Sequence, residues 1–224
     1  MTTKHFKLSL LISLMIVAAN AFAQSSAGVN QAPPAVVETK NLDRGQLDGL
    51  NYRNNFFGLS LSVPPTWIVV SAERTKAIVE ETGKVVTADQ NKKAQIDASM
   101  ERSALLLSLT KVPAGQPNNA AFMLIAERMP SPSVKTGADV VELMKKTFTG
   151  TNFNIEFQGD TQTERIGGAD FAVATVKNTS PSGTFMQKIY VTTKNGYALE
   201  LFYTYTDDAD LAAYNSIVNT MKIN

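Results

Sequence analysis

The last third of the chain alternates apolar and polar residues almost without interruption, and this period of two strongly constrains the fold. A strand over residues 153–166 leads through Gly167-Gly168 into a second strand over residues 169–177. A third strand, residues 184–194, turns at Asn195-Gly196 into a fourth, residues 197–205. Glycine and asparagine suit two-residue hairpin turns because they tolerate positive φ. The pattern therefore predicts a run of antiparallel hairpins.

The fourth of these strands places its large side chains on one face. These are Tyr197, Leu199, Leu201, Tyr203 and Tyr205. Aromatic residues at period two are typical of a sheet core. They are also typical of ligand pockets, so Trp67, Tyr203 and Tyr205 form a candidate aromatic binding surface. The sequence leaves both interpretations open.

The first half of the domain mixes strand and helix signals. Residues 59–63 alternate as a strand, residues 67–70 form a short extended stretch, and a helical region begins at Ser71 and runs to about Ser103. Gly83 should interrupt that region, since glycine costs about 1 kcal/mol relative to alanine inside a helix.

Two strongly apolar strands follow, over residues 104–112 and 120–129. The first is apolar on both faces, which predicts a strand that is covered on both sides. Thr136 lies three residues before Asp139, a variant of the helix capping box, and we expect the helix that starts there to end at Gly150.

A closing helix is predicted after Thr206. Its apolar stripe consists of Leu211, Tyr214, Ile217, Val218 and Met221. Asp207, Asp208 and Asp210 fall in its first turn, where the helix dipole favours negative charge. The same carboxylates could bind Ca²⁺, which takes oxygen ligands, although their spacing does not match an EF-hand loop. These three carboxylates are therefore only weak candidates for a metal site, and helix capping is the alternative interpretation.

The N-terminal 23 residues have the pattern of a secretory signal peptide. Lys4 and Lys7 precede an apolar run from Leu8 to Ala19, and the small residues of Ala21-Phe22-Ala23 form a cleavage site. The run is shorter than the roughly 20 residues that span a bilayer, so we expect no stable membrane span after cleavage. Residues 24–50 are predicted to be a flexible leader, and residues 51–224 a single domain.

The composition restricts the chemistry of the exported chain. His5 is the sole histidine and there is no cysteine, so no Ser-His-Asp or Cys-His site, disulfide or thiol chemistry is possible after cleavage. Removing Lys4 and Lys7 leaves 19 basic and 20 acidic residues, a balance that argues against nucleic acid as a partner. We predict no catalytic residue, cofactor or established metal site.

Hairpins interrupted by helices predict an α+β fold, specifically a three-layer α/β/α sandwich with a largely antiparallel central sheet. The segment from Tyr52 to Trp67 resembles the opening signature of the Mog1/PsbP-like superfamily. It contains an aromatic residue, the Phe57-Gly58 turn, a strand and a Pro-x-x-Trp step that begins at Pro64. The Asn195-Gly196 hairpin and the closing helix are similar to the C-terminal unit of that family.

The resemblance implies a binding or assembly module. Members of the superfamily include a nuclear transport factor that binds a small GTPase, an extrinsic photosystem subunit, bacterial envelope proteins and secretion-system adaptor chaperones. The metal ligands of photosystem members include histidine, so that role does not carry over. We therefore expect a non-catalytic module of the bacterial cell envelope, periplasmic or extracellular, with an envelope protein as partner. The alternatives are a small-ligand or Ca²⁺-binding envelope protein and a carboxylate-based hydrolase.

Overall fold

A seven-stranded antiparallel sheet forms the centre of the structure, a computed structural model that describes residues 41–75, 101–113, 120–129, 131–148, 154–180 and 183–224. In chain order the elements are β1 (Gln46–Asp48), β2 (Asn51–Asn54), β3 (Leu59–Ser62), β4 (Ile68–Val69), β5 (Ser103–Thr110), β6 (Ala121–Arg128), α1 (Gly137–Phe148), β7 (Asn154–Ile166), β8 (Ala169–Ser180), β9 (Gly183–Lys194), β10 (Tyr197–Tyr205), α2 (Asp208–Val218) and β11 (Lys222–Ile223). The large sheet has the order β4-β5-β6-β10-β9-β8-β7.

The two predicted hairpins of the last third are confirmed. β7 and β8 pair antiparallel, and their turn residues Gly167 and Gly168 both have positive φ, 59° and 97°. β9 and β10 pair in the same way across Asn195 and Gly196, with φ of 52° and 81°. The alternation thus fixes which side chains share a face. β8 extends to Ser180, three residues beyond its predicted end.

Both faces of the large sheet are covered. One face packs against α1, which contributes Val140, Val141, Met144 and Phe148 to the core. The other packs against α2 and a second sheet of four strands, in the order β1-β2-β3-β11. The prediction of an α+β sandwich with a largely antiparallel central sheet is confirmed, and the four-stranded sheet shares the second outer layer with α2.

The capping box predicted for α1 is present. The Thr136 N–H donates to Asp139 Oδ2 at 2.9 Å, and the Asp139 N–H donates to Thr136 Oγ1 at 3.2 Å. Gly137 lies directly against the sheet, since a Cβ at this position would be 2.0 Å from the carbonyl oxygen of Val191. The first turn of α1 is therefore fixed in two ways: by the hydrogen bonds of the capping box and by the close contact of Gly137 with the sheet. Gly150, the predicted end of this helix, lies outside the described residues.

The four-stranded sheet corrects the predicted start of the domain. The sequence pattern places residues 41–50 in the leader, but β1 pairs with β2 through Leu47 and Tyr52, and Leu42 is buried in the core. The Asp43 carboxylate accepts hydrogen bonds from the N–H groups of Gly45, Asn55 and Phe56. The segment contains little apolar periodicity because a three-residue strand is too short to show any.

The end of α2 also differs from the prediction. The helix was expected to include Met221, but it ends at Val218 with Asn219 as its C-cap. Met221 is buried after the turn, and Lys222 and Ile223 pair with β3. The Ile223 N–H donates to the Gly167 carbonyl oxygen at 2.7 Å. The residues after the helix therefore pair with β3, whereas the apolar pattern predicts that the helix continues to Met221.

Several predicted segments lie outside the described residues. They are the signal peptide (1–23), most of the leader (24–40) and the centre of the predicted helical region (76–100). At the start of that region residues 72–75 are helical, and Ser71 Oγ accepts a hydrogen bond from the Arg74 N–H at 3.2 Å. Within the described ranges no helix has the length and apolar character needed to cross a membrane.

Candidate functional site

The acidic cluster at the start of α2 serves the helix. Asp207 is the N-cap, and its Oδ1 accepts a hydrogen bond from the Asp210 N–H at 2.9 Å. Asp210 is 1% exposed, and its Oδ2 accepts from the N–H and hydroxyl of Thr206. Asp208 is exposed. The predicted capping position of these carboxylates agrees with this geometry.

Lys111 occupies the remaining oxygen of Asp210. Its Nζ lies 2.7 Å from Asp210 Oδ1, which joins the residue after β5 to the first turn of α2. Hydrogen bonding to Asp210 raises the pKa of Lys111, although partial desolvation opposes this. In the described part of the chain, no group of three or more Asp, Glu, His or Cys side chains is arranged to hold a metal ion. The Asp210 oxygens are already engaged.

The three aromatic candidates come together, but in the core. The ring centroids of Trp67 and Tyr203 are 6.3 Å apart, and Tyr203 stacks on Tyr205 at 5.9 Å. Tyr203 and Trp67 are buried, and Tyr205 is partly exposed. The Tyr203 hydroxyl donates to the carbonyl oxygen of Asp210, so its polar end faces α2. Tyr205 is the most exposed of the three.

Two further tyrosines, which the sequence analysis did not identify as candidate site residues, complete this cluster. Tyr214 of α2 lies 4.6 Å from Tyr203 and stacks on Tyr190 of β9 at 5.3 Å. Burial raises the pKa values of Tyr190, Tyr203 and Tyr214, so all three stay neutral at physiological pH. The helical spacing of Tyr214 and the position of Tyr190 opposite Leu201 were the signals that could have found them. The cluster fixes α2 on the sheet.

A different surface exposes apolar side chains. In β4 Ile68 is 41% exposed and Val69 is 47% exposed, and Leu47 and Leu50 in the β1–β2 hairpin are 38% and 42% exposed. The Val63 N–H donates to the Leu50 carbonyl oxygen at 2.7 Å, so this hairpin adjoins the segment that leads into β4. Sequence reasoning missed the exposure of Ile68 and Val69 because it identified residues 67–70 only as a short extended stretch.

β4 is also an edge strand. It pairs with β5 through Ile68–Thr110 and Val69–Leu109, and the structure describes no strand on its other side. An edge strand presents unpaired N–H and C=O groups that can pair with another chain. The combination of a main-chain edge with exposed apolar side chains is suited to binding an extended segment of a protein.

The opposite edge of the sheet is protected. β7 contains a bulge between Gln158 and Gln162, and Lys145 Nζ of α1 donates to Thr161 Oγ1 there at 2.8 Å. Charged residues along β7 are exposed; they are Glu156, Asp160, Glu164 and Arg165. Bulges and charges are the usual features that prevent edge-to-edge pairing. The two edges therefore differ in their capacity to accept a strand.

No protein-family model matches the chain, and no curated protein sequence matches it either. Solved structures that are similar to this chain include those of three bacterial proteins. The crystal structure of LpqN, involved in cell envelope biogenesis of Mycobacterium tuberculosis, has 15% identity, a TM-score of 0.43, and coverage of 74% of this chain and 83% of that one. A structure from Bacteroides thetaiotaomicron VPI-5482 has 13% identity, a TM-score of 0.40, and coverage of 74% and 45%.

The third is the solution structure of cyanobacterial PsbP (CyanoP) from Synechocystis sp. PCC 6803. It has 11% identity and a TM-score of 0.48, and the match covers 80% of this chain and 98% of that one. A PsbP protein, from the superfamily that the segment from Tyr52 to Trp67 resembles, is thus among the solved structures to which this chain is similar.

Proposed function

We propose that the protein is an exported, non-catalytic binding module of the cell envelope that holds an extended apolar segment of a partner protein along β4. The observation that carries the proposal is the coincidence, at one edge of the large sheet, of a strand with no described strand on its outer side and the exposed side chains of Ile68 and Val69. Main-chain hydrogen bonds would supply affinity, and these side chains would supply selectivity for apolar residues.

The chemistry of the chain favours binding over catalysis. A carboxylate-based hydrolase needs two carboxylates in an accessible cleft. Glu127 and Glu200, two acidic side chains on the same face of the large sheet, are both buried. The Ca²⁺ alternative needs free oxygen ligands, and those of Asp210 are occupied by Lys111 and Thr206. Binding at β4 requires neither a pair of carboxylates in an accessible cleft nor free oxygen ligands.

A site-specific photocrosslinker tests the proposal. The crosslinking amino acid is placed at position 68 of β4 in one variant and at Gln158 of the protected edge strand β7 in the other. Each is expressed in the host with its own N-terminal segment and irradiated in intact cells. We expect one discrete protein adduct from position 68 and none from position 158.

A second pair of variants links the adduct to edge pairing. In the position-68 background, Val69→Pro removes a main-chain N–H from β4, whereas Val69→Thr keeps it and retains a similar shape. The adduct should disappear with proline and persist with threonine, provided that both chains keep the wild-type circular dichroism spectrum. Equal adducts from positions 68 and 158, or none from either, would refute the proposal.

A further inference from the structure

One carboxyl group lies in the apolar layer between the large sheet and α1. Glu200 is in the middle of β10 and is 0% exposed. Ile125 of β6 and Val191 of β9 are directly opposite it, and Ala198 and Phe202 occupy the adjacent positions on the same face of β10. All four are buried members of the core cluster that includes α1. The positions directly opposite and adjacent to Glu200 on its face are therefore all apolar.

Neither oxygen of the Glu200 carboxyl has a hydrogen-bond partner within the described structure. An ionised carboxylate without a partner is very costly to bury, so such a group takes up a proton instead. Burial raises the pKa of Glu200 well above the usual value, and the negative charge of Glu127 adds to the effect. The protonated, neutral side chain is thus the form that this buried position favours.

Within the described ranges, the charged neighbours do not compensate for an ionised Glu200. On β6, Glu127 lies opposite Ala198 and forms an ion pair with Arg102, with 3.2 Å between Oε1 and Nη2. The positive charge of Arg102 is therefore already paired with Glu127. The residue opposite on β9 is Val191, and β5 contributes Ser103 opposite Glu127.

The helix above adds no cation to this face. α1 contributes apolar side chains to the core, while its acidic residues Asp139 and Glu142 and its basic residue Lys146 are exposed, and Lys145 pairs with Glu142. The first residue of α1, Gly137, would bring a Cβ to 2.0 Å from the Val191 carbonyl oxygen, on the strand beside Glu200. There is therefore no space between the N-terminal end of α1 and the sheet for an added side-chain atom.

We propose that Glu200 makes the packing of α1 on the sheet depend on a proton: the layer is closed while the carboxyl is neutral and loosens when it ionises. The direction follows from linkage. A carboxyl whose pKa is raised on folding binds its proton more tightly in the folded state, so stability falls as pH rises above the unfolded value of about 4.3. The proposal is independent of the β4 binding surface.

Three substitutions test it in the exported chain. Glu200→Gln keeps the shape and cannot ionise, and Glu200→Leu matches the surrounding apolar side chains. Glu156→Gln, at an exposed position of β7, is the control for loss of one surface carboxylate. Hydrogen-exchange protection factors of the amides of α1 and the urea midpoint are measured from about pH 5 to about pH 9, a range above the usual titration of glutamate.

We expect the protection factors in α1 to fall at least tenfold across this range in the wild type and in Glu156→Gln. They should stay nearly constant in whichever of the two Glu200 variants folds. The urea midpoints should likewise fall with rising pH in the wild type and in Glu156→Gln and stay nearly constant in the Glu200 variants. Constant protection in the wild type, or the same loss in the Glu200 variants as in the wild type, would overturn the proposal.

Discussion

Lys111 and Asp210 are 99 residues apart in sequence, and the Nζ of one lies 2.7 Å from Oδ1 of the other. The lysine follows β5, and the aspartate lies in the first turn of α2, where its carboxylate is 1% exposed. The pair thus joins the large sheet to the helix that covers it. A buried carboxylate with a charged donor depends strongly on that donor.

Asp210→Asn should destabilise the protein by about 2 kcal/mol, because charge-assisted hydrogen bonds from Lys111 and Thr206 are weakened inside the fold. The measurement is urea unfolding followed by the fluorescence of Trp67. Asp170→Asn is the matched control, since Asp170 also pairs with a cation, Arg165, but both side chains are exposed. Exposed pairs contribute about 0–1 kcal/mol. Equal losses would show that burial of Asp210 is not what matters.

Acid should loosen the start of α1 through Asp139. Hydrogen bonds from the N–H groups of Lys135 and Thr136 hold the pKa of Asp139 below its usual 3.8. Because this pKa is lowered on folding, the contribution to stability is present above the unfolded value and is lost as pH falls through the folded one.

Asp139→Asn should remove this acid dependence. Hydrogen exchange of residues 137–141 measured down to about pH 3 reports it, since that pH lies below the unfolded pKa of aspartate. Thr136→Ala is a companion variant: it removes the other half of the capping box and should cost about 1 kcal/mol at neutral pH. An Asp139→Asn protein with the same acid transition as the wild type would contradict the assignment.

Gly137→Ala should destabilise the protein by about 1–3 kcal/mol, the usual cost of overpacking. The added Cβ meets the main chain at Val191, which cannot rotate away as a side chain could. Ala138→Ser, at the exposed neighbouring position, controls for substitution in the first turn. Thermal unfolding by circular dichroism separates them, and a Gly137→Ala protein as stable as the wild type would mean that α1 shifts freely.

Asn195 has two separate contributions that can be measured apart. Its φ is 52°, and its Nδ2 donates to the Phe56 carbonyl oxygen at 2.6 Å, linking the β9–β10 turn to the other sheet. Asn195→Gly keeps the backbone conformation and removes only the hydrogen bond, which should cost about 1 kcal/mol.

Asn195→Ala adds strain in the left-handed region and should cost roughly 1–2 kcal/mol more than Asn195→Gly. Urea midpoints of the two variants, compared with the wild type, give both values. If alanine is no worse than glycine, the turn has changed its conformation.

The hairpins of the large sheet could be predicted because their signals are local. Alternation over nine or more residues and turns such as Asn195-Gly196 identify strand and partner together. The four-stranded sheet could not be predicted from the same signals. β1 and β11 have three and two residues, and β11 pairs with β3, far away in sequence. Periodicity is undefined over such short segments.

The burial of Glu200 could not be predicted from the sequence for a related reason. A charged residue in an alternating strand is normally assigned to the solvent face, and Glu200 sits between Leu199 and Leu201. Its face is nonetheless covered by α1, as the apolar neighbours Ala198 and Phe202 on that face could have indicated. Trp67, Tyr203 and Tyr205 do lie close together, but Trp67 and Tyr203 are buried in the core. Whether such side chains face solvent depends on where α2 packs, which is a tertiary property.

The pairing of β3 with β11 also sets an order of events for the newly made chain. β3 belongs to the start of the folded unit, and the residues that pair with its outer side are Lys222 and Ile223. Closing so long a loop is slow compared with forming a local hairpin. Until Lys222 and Ile223 have been synthesised, that side of β3 stays unpaired. The four-stranded sheet is therefore completed late in folding, and a chaperone that covers β3 during this interval would protect it from aggregation.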